Sequence, residues 1–358
     1  MVADCEPLNF EEASRENNWK KAMDEEIHAI EKNDTWELTD LPTNKKPIGV
    51  KCPFEHALYI KFVEPGDIMI MCLYVDDLIF TSNDSKIIAE FKEAMINHFE
   101  MTDMGLMSYF LRIEVLQKDD EIFISHRKYV NDILKKFQME HSKPVSTLVE
   151  EKFKLQREDK GRAVNPTYYK NLIGSLRYLT ATRPDIVFGV SLLSRFMEES
   201  CTNHLQAAKR ILRYIIGTLN NGIYYENTNE VNLVDYTDSD WARDIETRKS
   251  TLGFVFHLGS GAISWSSKKQ PVVTLSTAEA EYIAAASCST QAVWLRRILE
   301  ELNEKQSTLT TIFCYNKSTI ALCENSVLHG RSKHIDIRVH KIRELVNEKK
   351  GCDRVLSN

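Results

Sequence analysis

Hydrophobic and polar residues follow two periods along this chain, one typical of helices and the other of strands. Residues 11–32 and 84–100 have the helical period and are predicted to form amphipathic helices. Apolar runs at 68–75 and 78–81 have the length and composition of strands. Only Asp76-Asp77 separates these two runs. The pattern therefore predicts a β-hairpin with the acids at its tip.

The middle of the chain changes from strands to helices. Residues 109–117 and 121–125 are predicted strands, because the turn signal Lys118-Asp119-Asp120 separates them. Residues 126–225 are predicted to be mostly helical, with a proline-containing loop around 143–166.

The last part of the chain alternates between strands and helices. Three predicted strands come first, at 231–237, 253–257 and 262–266. A helix is predicted from Ser276 to about Leu302, because Ser276 and Glu279 form an S-x-x-E capping box. Another strand at 308–315 and another helix at 334–349 follow. This order predicts an α/β fold class, mixed α+β, with a mixed sheet and flanking helices.

Composition narrows the class of protein. The 358 residues suggest two or three domains, and 43% hydrophobic with 27% charged residues is typical of globular proteins. No apolar run reaches the roughly 18 residues of a membrane span, so no membrane association is predicted. The eight cysteines form no CxxC pair, and the N-terminus does not resemble a secretory signal. We therefore expect reduced thiols and an intracellular location, in the cytoplasm or nucleus.

Net charge gives little support for nucleic-acid binding. Lys and Arg number 46 against 52 Asp and Glu, a formal net charge of −6, whereas proteins that neutralise phosphates usually have a basic surplus. Local basic clusters at Arg248-Lys249 and Lys268-Lys269 have two interpretations, a phosphate-binding track or solvated surface charge.

The adjacent acids Asp76 and Asp77 are candidate metal ligands. Adjacent carboxylates repel each other, and apolar strands on both sides are expected to keep them near the protein interior, where that repulsion is costly. A divalent cation relieves it, and paired Mg²⁺ ions catalyse phosphoryl transfer. A surface turn is the alternative for any isolated Asp-Asp pair.

Three further acids are far apart in sequence but are predicted at the ends of elements that one sheet would bring together. Asp238 follows a strand, Glu281 lies one turn into the capped helix, and Asp336 begins the last helix. Hard oxygen ligands that converge in this way bind Mg²⁺. Taken singly, each acid has a structural or solvated alternative.

The motifs around both sets of acids resemble the Pol polyprotein of copia-type retrotransposons. Tyr-Val-Asp-Asp at 74–77 is similar to the family's polymerase hairpin. Other segments similar to its reverse transcriptase are 18–26, 33–38 and 174–185. Segments similar to its ribonuclease H domain, in the family's order, are 236–242, 248–251, 264–270, 276–282 and 331–336.

The resemblance implies a truncated reverse transcriptase followed by a ribonuclease H-like domain. Four parts are implied: a fingers remnant at 1–51, a palm remnant at 52–140, a helical thumb or connection at 141–225, and the ribonuclease H-like domain at 226–350. It implies Mg²⁺ as cofactor and an RNA–DNA hybrid or other nucleic acid as partner, and leaves the oligomeric state open. The implied catalytic and metal-binding residues are Asp76, Asp77, Asp238, Glu281 and Asp336.

Two departures from the family affect catalysis. After Lys51 about a hundred residues of the family pattern are missing, a domain-sized gap, and with them a catalytic aspartate. Without that covering segment, strand 68–75 is expected to present an exposed edge. In the second site, Tyr315 stands where the family has a metal-binding aspartate, and a neutral phenol is a poor Mg²⁺ ligand that is expected to occupy ligand space. Smaller departures are Arg112 and Arg243, where the family usually has glycine.

Three interpretations stay open at this point. The chain is a catalytically defective remnant, an active ribonuclease H or mis-spliced polymerase, or a non-catalytic nucleic-acid-binding protein. His334, near Asp336, is either a substrate contact or a surface residue.

Overall fold

The computed structural model describes residues 20–21, 50–63, 66–75, 77–149, 155–156, 161–228, 231–324 and 354–356. The chain divides into two compact units, residues 1–48 and 49–358. In the first unit only Lys20 and Lys21 are described, and both are helical. The rest of the predicted helix at 11–32, and the whole predicted helix at 334–349, lie outside the described residues.

An antiparallel sheet of four strands comes first in the second unit. Its strands, in order, are β1 (Val50–Lys51), β2 (Leu58–Phe62), β3 (Ile68–Tyr74) and β4 (Asp77–Ser82). Tyr74 is opposite Asp77 in the β3–β4 pair, which confirms the predicted hairpin. Helix α1 (Ser85–His98) follows and confirms the helix predicted at 84–100.

Strand β3 lies in the middle of this sheet, between β2 and β4. Its buried side chains Met69 and Met71 form a small core with Ile87 and Phe91. Near the hairpin tip the strand becomes exposed, and Val75 is 79% exposed. Two expectations are therefore wrong. Strand β3 is not an exposed edge, because both neighbours pair with it, and the tip is at the surface and not near the interior.

A second antiparallel sheet joins distant parts of the chain. Its strands, in order, are β5 (Tyr109–Phe110), β6 (Ile113–Gln117), β7 (Glu121–Ser125) and β8 (Ile223–Glu226). The predicted strands at 109–117 and 121–125 are confirmed, although Leu111 and Arg112 interrupt the first. Strand β8 follows the helical region and returns to pair with β7, so that region is an insertion between two neighbouring strands.

The helical region between β7 and β8 has the largest apolar core. Its helices are α2 (Arg127–Lys136), α3 (Pro166–Leu179), α4 (Val187–Ser194) and α5 (Thr202–Gly217). Side chains with no exposed surface from α3 and α5 fill its centre: Leu172, Ile173, Leu176, Ile211, Leu212 and Ile215. The prediction of a mostly helical segment at 126–225 is confirmed.

The third sheet is mixed, as the sequence predicts. Its strands are β9 (Leu233–Ser239), β10 (Thr251–Leu258), β11 (Gly261–Lys269), β12 (Thr311–Phe313) and β13 (Arg354–Leu356). They lie in the order β11-β10-β9-β12-β13. Strand β10 is antiparallel to both β9 and β11, whereas β12 is parallel to both β9 and β13. The α/β, mixed α+β, fold class is confirmed.

Helix α6 (Thr277–Glu301) covers one face of the mixed sheet, and α7 (Lys317–Glu324) packs on α6. Ser276 is the N-cap, and its Oγ accepts a hydrogen bond from the Glu279 N–H at 3.2 Å. Glu279 in turn accepts one from the Leu275 N–H at 2.7 Å. The predicted start of this helix is confirmed. None of the helices in the described ranges has the length and hydropathy required to cross a membrane.

Arg112 and Arg243, which stand where the resembled family usually has glycine, both stack on aromatic rings. Arg112 has φ +63°, in the left-handed region that favours glycine, and its guanidinium lies 5.2 Å from the centre of the Tyr129 ring. The Arg243 guanidinium lies 5.6 Å from the centre of the Phe188 ring. The strain at Arg112 is thus partly offset by a cation–π contact.

Candidate functional site

Asp238 lies one residue before the end of β9, within the strand and not after it as the sequence predicts. Its neighbour on β10 is Gly253. Because side chains alternate along a strand, Asp238 and Tyr236 share one face, and Asp235 and Thr237 face α6. The side chain of Asp238 is exposed.

Glu281 approaches Asp238 from the first turns of α6. It is 8% exposed, makes a side-chain hydrogen bond with Asp238, and accepts one from the Ser239 N–H. Burial, and after it the negative charge of Asp238, raises the pKa of Glu281 to about 7. The structure therefore brings together two of the three acids predicted for this site.

A cysteine and a tyrosine, Cys314 and Tyr315, directly follow β12. The Cys314 Sγ is 3.9 Å from the Glu281 Oε2, and burial raises the pKa of the Cys314 thiol to about 11. Phe313 is level with Tyr236 in the parallel β12–β9 pair, and Tyr315 comes two residues after the end of β12. Tyr315 is 68% exposed, and the expectation that its ring fills ligand space stays a prediction.

The described residues do not complete a metal site. Asp238 and Glu281 supply hard oxygen ligands of the type that Mg²⁺ prefers. Nowhere in the described ranges do three or more His, Cys, Asp or Glu side chains form a group able to bind a metal. Asp336, the third predicted ligand, and His334 lie outside those ranges.

The polymerase-like hairpin is described only in part. Asp77 is exposed at the start of β4, opposite Tyr74. Asp76 lies outside the described residues, so the predicted pairing of these two acids at a metal stays a prediction. The Tyr74 ring packs edge-on against Phe110, with 6.5 Å between the ring centres.

Sequence reasoning missed a buried carboxyl group beside this site. Asp235 has no exposed surface, its Oδ2 accepts a hydrogen bond from the Cys288 thiol, and its Oδ1 makes no hydrogen bond in the described part of the chain. Burial raises the pKa of Asp235 to about 8. The strand pattern of alternate residues could have placed Asp235 on the buried face, since Leu233 and Thr237 share that face.

One lysine of a predicted basic cluster is already neutralised. The Lys269 Nζ lies 2.7 Å from the Asp244 Oδ2, and Arg195 Nη1 lies 3.4 Å from the same oxygen. Lys269 is therefore not available as part of a free phosphate-binding track, and Lys268 of that cluster is exposed.

The sequence is similar to proteins of retrotransposons. Residues 51–151 match the family described as reverse transcriptase (RNA-dependent DNA polymerase). A putative transposon Ty5-1 protein, YCL074W, of Saccharomyces cerevisiae is 31% identical over 235 residues, which cover 65% of this chain and 76% of that protein. The Pol polyproteins of plant copia-type transposons match over most of the chain. The chain belongs to the copia-type Pol family.

Two plant relatives define how much of Pol is represented. The retrovirus-related Pol polyprotein from transposon TNT 1-94 of Nicotiana tabacum is 37% identical over 314 residues, 85% of this chain and 23% of that protein. The Pol polyprotein from transposon RE1 of Arabidopsis thaliana is 40% identical over 289 residues, 81% of this chain and 20% of that protein. The chain thus spans about a fifth of the length of these copia-type Pol relatives, and its division into four parts stays a prediction.

Proposed function

We propose that this chain is a nucleic-acid-binding fragment of a copia-type Pol polyprotein, inactive as a polymerase and severely impaired as a ribonuclease H. The observation that carries the proposal is Tyr315. It is an exposed, neutral residue adjacent in sequence to Cys314, whose thiol lies 3.9 Å from Glu281, and it stands where the family motif has an aspartate.

The proposed loss of polymerase activity rests on the gap after Lys51. The family match begins at residue 51, where the sequence passes directly into the segment that precedes the hairpin. Asp76 and Asp77 are adjacent in the sequence, and two adjacent acids do not supply the ligands that two metals in line with a nucleotide require. The exposed hairpin tip is consistent with a missing substrate-binding surface.

The proposed ribonuclease H defect follows from ligand chemistry. Cleavage by two Mg²⁺ ions needs several converging carboxylates, because each ion takes about six oxygen ligands. A tyrosine phenol has a reference pKa near 10 and stays protonated at neutral pH. With Tyr315 in place of an acid, the site lacks one negative charge and one ligand.

The cofactor and partners follow from the family. We infer a divalent metal, Mg²⁺, bound more weakly than in an intact site, and an RNA–DNA hybrid or other nucleic acid as partner. An intracellular location without a membrane partner completes the proposal.

Cleavage of a labelled RNA–DNA hybrid by the purified full chain in Mg²⁺ tests this function. We expect binding of the hybrid without cleavage above background, and at least a tenfold increase in cleavage by Tyr315→Asp. Tyr315→Asn is the matched control, because it has the size of aspartate without the charge. Rapid cleavage by the unaltered chain that is lost in Glu281→Gln would overturn the proposal.

An active ribonuclease H is the second candidate function. The contact between Asp238 and Glu281 favours it, since these two acids are already close enough to share a ligand. The same assay separates the two functions, because only an active enzyme cleaves without Tyr315→Asp.

A further inference from the structure

On the face of the mixed sheet that bears Asp238, one row of four side chains contains three aromatic residues. Strand pairing aligns Phe313, Tyr236, Val255 and Trp265 across β12, β9, β10 and β11. The Phe313 and Tyr236 rings are stacked, with 4.9 Å between their centres and 15° between their planes. Tyr236 is 44% exposed. Flat, partly exposed rings in such a row form a surface on which nucleic-acid bases stack.

A cavity lies at the Trp265 end of this row. It is an open depression with a volume of about 530 Å³. Its lining includes Tyr178, Thr180, Ala181 and Trp265. The Trp265 Nε1 donates a hydrogen bond to the Thr180 carbonyl at 3.0 Å, which fixes the orientation of the indole ring.

The charge of this cavity is positive, although the chain as a whole is negative. Arg177 lines the cavity and is exposed, with no ion pair or side-chain hydrogen bond to the described part of the chain. Within that part, no carboxylate belongs to the lining. Tyr178 packs edge-on against Tyr129. The Arg112 guanidinium lies over the Tyr129 ring, 5.2 Å from its centre. A free guanidinium group beside aromatic rings suits a ligand that combines a phosphate with a planar ring.

The position of the cavity relative to the acids fits one continuous ligand. Trp265 is two strands away from Asp238 and two residues along, a backbone separation of about 12 Å by sheet geometry. Both side chains are on the same face, because Tyr236, which is level with Trp265, is two residues before Asp238. A nucleic-acid strand that passes Asp238 therefore reaches the cavity within a few nucleotides.

We propose that the cavity between Tyr178 and Trp265 is a nucleotide-binding subsite that takes one base of a single nucleic-acid strand against the Trp265 ring and its phosphate on Arg177. This subsite rests on the proposed function in one respect, that the chain binds nucleic acid. It adds a location for that binding which is separate from the metal-binding acids.

Fluorescence anisotropy of the full chain with a fluorescein-labelled oligothymidylate decamer tests the phosphate contact. Arg177→Ala is expected to weaken binding and to reduce the slope of log K against log salt by about 0.7, the value for one phosphate contact on a single strand. Lys135→Ala is the matched control, because it removes an exposed charge that is not part of the cavity lining. Equal binding and equal slopes for both variants would overturn the phosphate contact.

An abasic decamer tests the base contact. Trp265→Leu is expected to weaken binding of the oligothymidylate about fivefold or more, to leave binding of the abasic decamer unchanged, and to be rescued by Trp265→Phe. Trp294→Leu is the matched control. Its indole N–H also donates to a backbone carbonyl, that of Phe54 at 3.0 Å, but it lies on α6 on the other face of the sheet.

The outcomes separate the subsite from the proposed function. Binding of the RNA–DNA hybrid and of the decamer that is insensitive to both Arg177→Ala and Trp265→Leu would refute the subsite and leave the function intact. Failure of the full chain to bind either nucleic acid would refute both.

Discussion

Replacement of the buried Asp235 by asparagine should change how stability depends on pH. Burial raises the pKa of Asp235 from 3.8 to about 8, so the folded state keeps a proton that the unfolded state releases above pH 4. The contribution of protonated Asp235 to the free energy of unfolding is fully present below pH 4 and is lost as the pH rises towards 8. The slope is about 1.4 kcal/mol per pH unit, which amounts to about 4 kcal/mol between pH 4 and pH 7.

The structural reason is the lack of a charged partner. The Cys288 thiol donates to one carboxyl oxygen of Asp235, but the other oxygen makes no hydrogen bond in the described ranges. The nearby N–H groups of Tyr236 and Val255 only partly offset the cost of burial. Asparagine has nearly the same size and cannot ionise. We therefore expect Asp235→Asn to match the unaltered chain near pH 4 and to exceed it by up to about 4 kcal/mol at pH 7.

Urea denaturation at a series of pH values, followed by circular dichroism, measures this difference. Asp244→Asn is an informative control with the opposite sign. Hydrogen bonds from Lys269 and Thr247 outweigh burial and lower the pKa of Asp244 to about 2. Ionised Asp244 therefore contributes to stability above pH 4, and Asp244→Asn should destabilise the chain at pH 7. A flat pH profile for the unaltered chain between pH 5 and pH 7.5, with no gain in Asp235→Asn, would refute the reasoning.

Three further predictions concern the backbone and the metal site. Arg112→Gly should be more stable than Arg112→Ala by about 1 kcal/mol in denaturant titrations, because only glycine relieves the left-handed backbone; equal stability would contradict this. Gly222→Ala should lose about 1–3 kcal/mol, since its Cβ would lie 2.2 Å from the Ile124 carbonyl oxygen, whereas Gly174→Ala in an open part of α3 should gain up to about 1 kcal/mol. Calorimetry with Mn²⁺ should show at least tenfold tighter binding to Tyr315→Asp than to the unaltered chain, and equal affinities would exclude Tyr315 as the defect.

Local patterns in the sequence were sufficient to predict most of the helices and strands. The β3–β4 hairpin, α1 and the start of α6 depend on periodicity, turn residues and a capping box, all of which act within a few residues. The contact between Asp238 and Glu281 was predictable because the order of strands and helices implied one sheet. The burial of Asp235 was not predicted. The free-energy cost of burying its carboxyl group depends on packing against α6, which comes far later in the chain.

Pairings between distant segments were the part that sequence could not supply. The return of β8 to β7 and the central position of β3 depend on which strands meet, and apolar composition does not specify a neighbour. The contact between Cys314 and Glu281 was missed for the same reason, although Cys314 is adjacent to the Tyr315 position that drew attention.

The pairing of β7 with β8 has a consequence for biosynthesis. During translation β7 leaves the ribosome long before β8, so its free edge stays open while the intervening helices are made. Sheets that wait for a distant strand form slowly and expose apolar surface in the meantime. A copy of this chain that ended before residue 223 would keep that open edge permanently, and aggregation of such truncated products is the expected result.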